Sequence, residues 1–244
     1  MKPDKIIAVR NNKTVFRDGN LCLKVFNRDF SKADILNEAL NHARVEEIGL
    51  NIPKIKEISV MDGKWTIVTE FIKGKTLEQL MYENPERSNE FLEKLVCLQT
   101  EMHSKTCPLL NKLTDKIIRE ITRSGLSDSL KINLTGRLIK MPKHDKLCHC
   151  DFTPSNILIA DSGDPYILDW SHAAIGNASA DAAMTYIGFM LAGNSEAAKN
   201  YLNMFCKKSD IDIKYVKEWI PIAASSQLAR RNLEKRAILN LLIK

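Results

Sequence analysis

The chain changes character at Lys73-Gly74, and that change limits what it can fold into. Before it lie short β-type runs, "IIAV", "TVFRD" and "NLCLKVF", with "RDGN" supplying a turn between the last two. One amphipathic helix follows in "SKADILNEALNHARVEEIGL". It carries Ser31 and Asp34 in capping-box spacing, apolar Ile35, Leu36, Ala39, Leu40 and Ala43, and Gly49 as a stop. "PKIKEISVMDGKWTIVTEFI" then reads as two strands about an Asp62-Gly63 hairpin turn. After Gly74 the patterns are long and helical: 86 to about 105, about 109 to 124, 126–141, 180–191, 196–207 and 213 to the end. The expected fold class is α+β, with a small β-rich lobe over residues 1–72 joined to a larger helical lobe over 73–244. Ligands favour the cleft between two such lobes.

A chain of 244 residues buries enough surface to need no covalent staples. Its six cysteines are scattered without a regular framework, mostly inside apolar runs, which points to reduced thiols. The N-terminal "MKPDKIIAVRNNK" has charges where a signal peptide needs its apolar run. "AAMTYIGFMLAGNS" is too short to span a bilayer, so a cytoplasmic protein without membrane contact is expected. The net charge of +6 is dispersed and suits an anionic small ligand as well as nucleic acid. The terminal "QLARRNLEKRAILNLLIK" contains Arg230, Arg231, Lys235 and Arg236, but its apolar residues recur at helical spacing and it has no aromatics. That describes a packed helix with a solvated basic face, and no nucleic-acid partner is expected.

The segment "LCHCDFTPSNILI" sets His149 between Cys148 and Cys150. Zinc would need four ligands, and no second Cys or His pair completes a set. Alone, the segment also reads as a buried turn with core cysteines. The order of the oxygen-bearing side chains adds a third reading. Asp151 is followed five residues later by Asn156, then by "ILIA", the turn "DSGD", the run "YIL" and Asp169. A hairpin of those two runs returns Asp169 beside Asn156, and an amide with a carboxylate is a hard-oxygen pair suited to Mg²⁺ on a nucleotide's phosphates. Asp151, outside the metal shell, is placed to accept the proton of an attacking hydroxyl.

"HCDFTPSNILI" followed by "YILDW" resembles the catalytic and metal-binding loops of the aminoglycoside phosphotransferase and choline kinase family, the small-molecule branch of the protein-kinase-like fold. The resemblance runs from about residue 7 to the final helices. It implies a bilobal kinase-like architecture, Asp151 as catalytic base, Asn156 and Asp169 as Mg²⁺ ligands, and His149 as a brace of the loop. It matches Lys24 in "CLKVF" to the lysine on the α- and β-phosphates and Glu38 to its ion-pair partner, although each alone reads as a solvated surface residue. "TIVTEFIKGKTL" resembles the hinge, where main-chain groups of about Glu70 and Ile72 would meet the adenine edge.

The pattern departs from the family in two places. "VRNNKTVFRDG" lacks a G-x-G-x-x-G run, although Asn11 and Asn12 tolerate left-handed backbone. Cys150 stands where many relatives have glycine. Only twelve residues separate Asp169 from Asp181, too few for a peptide-docking activation segment. Asp181 is expected to cap its helix or tie it to the catalytic loop, and His103 to be structural. The helical insert between His103 and His149 has more lysine and arginine than acid, which argues against a polycationic acceptor. The implied activity is transfer of the γ-phosphoryl group of ATP or GTP, with Mg²⁺, to a hydroxyl of a small molecule. The alternatives are a compact atypical protein kinase and a non-catalytic nucleotide-binding pseudokinase.

Overall fold

The computed structural model describes residues 5–10, 12–228 and 233–243. Asn11, Arg230 and Arg231 lie outside the described residues. In chain order the first half contains β1 (Lys5–Val9), β2 (Lys13–Asp18), β3 (Leu21–Phe26), α1 (Lys32–Glu46), β4 (Ile55–Met61), β5 (Lys64–Glu70), β6 (Gly74–Thr76), α2 (Leu77–Glu83) and α3 (Ser88–His103). It continues with α4 (Leu113–Arg123), α5 (Asp128–Lys140), β7 (Lys146–Cys148), β8 (Ile157–Ala160), β9 (Pro165–Ile167) and β10 (Ala174–Gly176). Last come α6 (Ala178–Leu191), α7 (Ser195–Ser209), α8 (Ile213–Gln227) and α9 (Leu233–Ile243). The chain divides into two compact units, one running to Thr76 with Asn156–His172 added, the other made of Leu77–Ser155 and the chain from Ala173 onward.

The first unit is built on an antiparallel sheet in the order β1-β2-β3-β5-β4. Asp62 takes φ +49° and Gly63 φ +73°, the left-handed pair that a tight hairpin turn requires. Helix α1 begins at a Ser31 cap, whose Oγ accepts from the Asp34 N–H at 3.3 Å. Phe26, Ile35, Ala39 and Ile67 form the buried core between helix and sheet, with Phe30, Ile55 and Trp65 packed around them. Of the apolar face read for α1 only Ile35 and Ala39 are buried, and Ala43 is exposed. Leu36 and Leu40 are exposed, whereas Glu38, Asn41 and His42 are buried. The same unit holds a small sheet in the order β6-β8-β9. Strand β6 and helix α2 went unread because each is shorter than the periodicity needed to recognise it. Gly74 sits opposite Ala160 in this sheet, and a Cβ there would fall on the Ile159 carbonyl, with the Ala160 Cα at 2.7 Å. The glycine at the change of character is thus a close approach of two backbones.

The second unit is helical, apart from the β7–β10 pair. Helix α6 packs on both α7 and α8. It is buried nearly all round, with Ala178, Ala180, Ala182 and Ala183 allowing close approach. Tyr201 and Phe205 of α7 and Trp219 and Ile222 of α8 complete the large buried side chains. The single terminal helix expected from residue 213 onward is corrected by the structure. Helix α8 stops at Gln227, and α9 starts at Leu233 and packs back on α8. Leu239 and Ile243 are buried while Leu233 and Leu241 are exposed. No described helix is long and apolar enough to cross a membrane.

Candidate active site

Strand pairing in the first unit sets two lysines on one face. Val15 lies opposite Lys24, and Lys13 is two residues before Val15, so Lys13 and Lys24 project on the same side of the sheet. Helix α1 presents Glu38 to both. Lys24 Nζ donates to Glu38 Oε1 at 2.9 Å, and Lys13 Nζ lies 3.3 Å from the same oxygen.

The β8–β9 hairpin supplies the second carboxylate. Ile157 pairs with Ile167, and the Leu168 N–H donates to the Asn156 carbonyl at 2.8 Å, so Asn156 stands across from the residue preceding Asp169. The chain then turns with Asp169 at φ +59°. Trp170 is fully buried, its indole N–H donating to the Ile167 carbonyl at 3.2 Å, and Asn41 of α1 donates to the Ser171 carbonyl at 3.4 Å. These contacts aim Asp169 at the lysines. Its Oδ2 lies 3.2 Å from Lys13 Nζ and its Oδ1 3.6 Å from Lys24 Nζ.

Two ammonium groups and two carboxylates therefore converge in a largely buried cluster. For Lys24 and Asp169, burial works against the charge and the opposite charges outweigh it. For Lys24, burial alone would lower the pKa, but the Asp169 and Glu38 carboxylates raise it above the ordinary lysine value. For Asp169, burial alone would raise the pKa, but Lys24 and then Lys13 hold it well below the ordinary carboxylate range. Asp169 Oδ1 is buried and accepts no hydrogen bond. That oxygen is of the hard-oxygen type that suits a Mg²⁺ ion, and Asn156 in the same hairpin is of a residue type that could add an amide oxygen.

The loop "HCDFTPSN" crosses from the second unit to the first: Asp151 belongs to the helical unit and Asn156 to the other. His149 is fully buried with its ring edge-on to Phe152, at a centroid distance of 5.7 Å. Cys150 has φ +64°, the left-handed region that favours glycine, which gives its position a steric meaning. In that conformation its N–H donates to Asp181 Oδ1 at 2.6 Å. Asp181 Oδ2 accepts from His103 Nε2 at 2.8 Å and from the Gln99 amide at 3.0 Å. Asp181 is fully buried, and although burial alone would raise its pKa, the His103 and Gln99 donors and the Cys150 N–H bring it below the ordinary value. Asp181 thus ties α6 to the loop that follows β7 and to α3. The helix cap is Asn177, whose side chain accepts from the Ser179 N–H at 2.9 Å. Burial, then Asp181, pushes the Cys148 thiol well above its usual pKa, away from the thiolate that zinc would need. Among the described residues no group of three or more His, Cys, Asp or Glu is placed to hold a metal.

Glu70 ends β5. Its N–H is engaged by the Lys54 carbonyl at 2.9 Å, and its side chain is paired with Lys56 at 2.8 Å. Ile72 is half-buried just beyond the strand. The structure thus brings Lys24, Glu38 and Asp169 into one cluster, with Asn156 in the adjoining hairpin, and places Glu70 and Ile72 at the sheet's exit. Lys13 was missed by sequence reading. The hairpin register set by "RDGN" carries the signal, since it places Lys13 diagonally beside Lys24. Asn12 does not take a left-handed conformation, and the Arg10 N–H donates to the Lys13 carbonyl at 2.9 Å.

Comparison with known proteins bears on this arrangement. No curated protein matches the sequence. A crystal structure of aminoglycoside-3'-phosphotransferase of type VIII superposes with a TM-score of 0.70 at 15% identity, covering 93% of this chain and 94% of that one. A thermostable mutant of aminoglycoside phosphotransferase APH(4)-Ia (N203A), in ternary complex with AMP-PNP and hygromycin B, gives 0.69 at 14% identity, with 98% and 92% covered. ADP-bound aminoglycoside phosphotransferase APH(2'')-Ib gives 0.64 at 14% identity, with 100% and 93% covered. These likenesses establish the α+β, protein-kinase-like fold. Residues 6–219 match the profile described as "Phosphotransferase enzyme family", and the chain belongs to that family.

Proposed function

We propose that the protein transfers the γ-phosphoryl group of ATP to a hydroxyl of a small molecule, with Mg²⁺. The observation that carries this reading is the convergence of Lys24, Glu38 and Asp169 in one cluster, with Asn156 in the hairpin that delivers Asp169. The β-rich unit is the nucleotide-binding part. Lys24, held by Glu38, orients the phosphates, and the main chain at Glu70 and Ile72 meets the adenine edge. Asn156 and Asp169 would hold Mg²⁺, which neutralises charge developing on the phosphates. Asp151 accepts the proton of the attacking hydroxyl, and the remaining catalysis is positioning and electrostatics.

The AMP-PNP of one solved relative and the ADP of another support ATP as donor. The acceptor is a hydroxylated small molecule. A depression in the helical unit, lined by Leu113, Lys116, Glu120, Cys150, Met184 and Gln227, reaches the residue preceding Asp151 and is the place we assign to it. Its lining carries one lysine and one glutamate, a poor match for a polycation. The test is a screen of hydroxylated metabolites and antibiotics for Mg²⁺-dependent ADP release. An acceptor that raises release with the wild type and not with Asp151→Ala supports the assignment. Undiminished turnover in Asp151→Ala removes that residue from the base role.

A further inference from the structure

The connection between β1 and β2, where a glycine-rich run would cover the phosphates, spans only residues 10–12. Among its described groups, the Arg10 N–H is spent on the Lys13 carbonyl, and the Asn12 carbonyl accepts from the Asn27 N–H at 2.9 Å. What this turn delivers instead is a side chain. Lys13 leaves the turn as the first residue of β2, only 8% exposed, its ammonium 3.3 Å from Glu38 Oε1 and 3.2 Å from Asp169 Oδ2. Glu38 already has Lys24 as a partner at 2.9 Å, and Asp169 has it at 3.6 Å. One lysine would suffice for an ion pair that holds the site together. The two carboxylates balance the two ammonium groups here; with Asp169 engaged on Mg²⁺, a polyphosphate would supply the negative charge that the second buried ammonium then needs.

We propose that Lys13 is a second phosphate-binding lysine, which takes the place of a glycine-rich loop by contacting the nucleotide's phosphates from the same face as Lys24. The proposal rests on the nucleotide-binding reading above and adds a residue to it. Lysine serves such a site as a compact point charge, so the contact depends on the ligand's charge and not on its base.

The experiment is calorimetric titration of the wild type, Lys13→Met and Lys24→Met with ATP, ADP and adenosine, each with and without Mg²⁺. Lys13→Met should weaken ATP and ADP by about 10- to 100-fold, the loss expected for a hydrogen bond to a charged group, with adenosine affinity unchanged. ATP and ADP affinities equal to wild type, in a folded Lys13→Met that contrasts with a weakened Lys24→Met, would overturn the role of Lys13 and leave the nucleotide reading intact. An equal proportional loss for adenosine would also overturn it, by showing a structural effect. A wild type that binds no nucleotide would remove both readings together. Should Lys13→Met fold poorly, Lys13→Gln keeps a polar side chain in the cluster and carries the same expectation.

Discussion

Each unit buries a charged cluster, and the two are built on opposite plans. In the β-rich unit, two lysines face two carboxylates, and the Asp169 side chain remains 26% exposed with one oxygen accepting no hydrogen bond. In the helical unit, Asp181 is fully buried, and both oxygens are satisfied by three donors from α3 and the loop after β7. The first cluster is held by charges that can exchange partners, which suits a site that receives a ligand. The second is held by directional hydrogen bonds that leave nothing for a ligand, which suits a brace. Buried networks that are fully satisfied rigidify, whereas a reserved acceptor in low dielectric invites a cation.

The largest effect that would sharpen this contrast is on turnover. Asp169→Asn should reduce Mg²⁺-dependent phosphoryl transfer by about a thousandfold while the protein still folds; retention of turnover would break the assignment of the Asp169 oxygen that accepts no hydrogen bond. Asp181→Ala should act in the reverse sense. Removing the carboxylate takes the acceptor from His103 Nε2 and the Cys150 N–H and one of two acceptors from the Gln99 amide, and should cost about 3 kcal/mol in denaturant unfolding. A neutral result there would dissolve the distinction between site and brace.

A smaller effect concerns acid. The pKa of Asp181 is lowered in the fold, so its contribution to stability is present above the unfolded value of about 3.9 and is lost as pH falls through the lower folded value. His103→Ala removes the foremost donor that lowers that pKa and should move the onset of acid unfolding to higher pH, which melting curves from pH 6 downward would reveal. Smallest is Cys150→Gly. Relief of the left-handed strain at φ +64° should raise stability by up to about 1 kcal/mol, and Cys150→Ala, which keeps a Cβ, should not. Equal stability of the two variants would show that the strain at this position is negligible.

Much of the β-rich unit was legible because its signals are local. The Ser31 cap, the Asp62-Gly63 turn and the hairpin that returns Asp169 toward Asn156 each depend on hydrogen bonds between residues near in sequence. The spacing of Asp151, Asn156 and Asp169 then gave the site its order along the chain. Residues whose meaning comes from distant partners stayed hidden. Lys13 carried no reading from the sequence, because only strand pairing sets it beside Lys24 and only the hairpin brings Asp169 to it from 156 residues away. His103 was legible as structural, but its partner Asp181 was not, because 78 residues separate them.

By itself the sequence determined the kinds of element, the change of character at Gly74 and the carboxylate and amide pattern of the loop, since these rest on propensity and short-range hydrogen bonding. Only the tertiary structure decided which polar side chains are buried, which charges share a cluster and why Cys150 sits where glycine is favoured. The physical reason is that the cost of burying a charge is settled by its partners, and here the partners come from other parts of the chain.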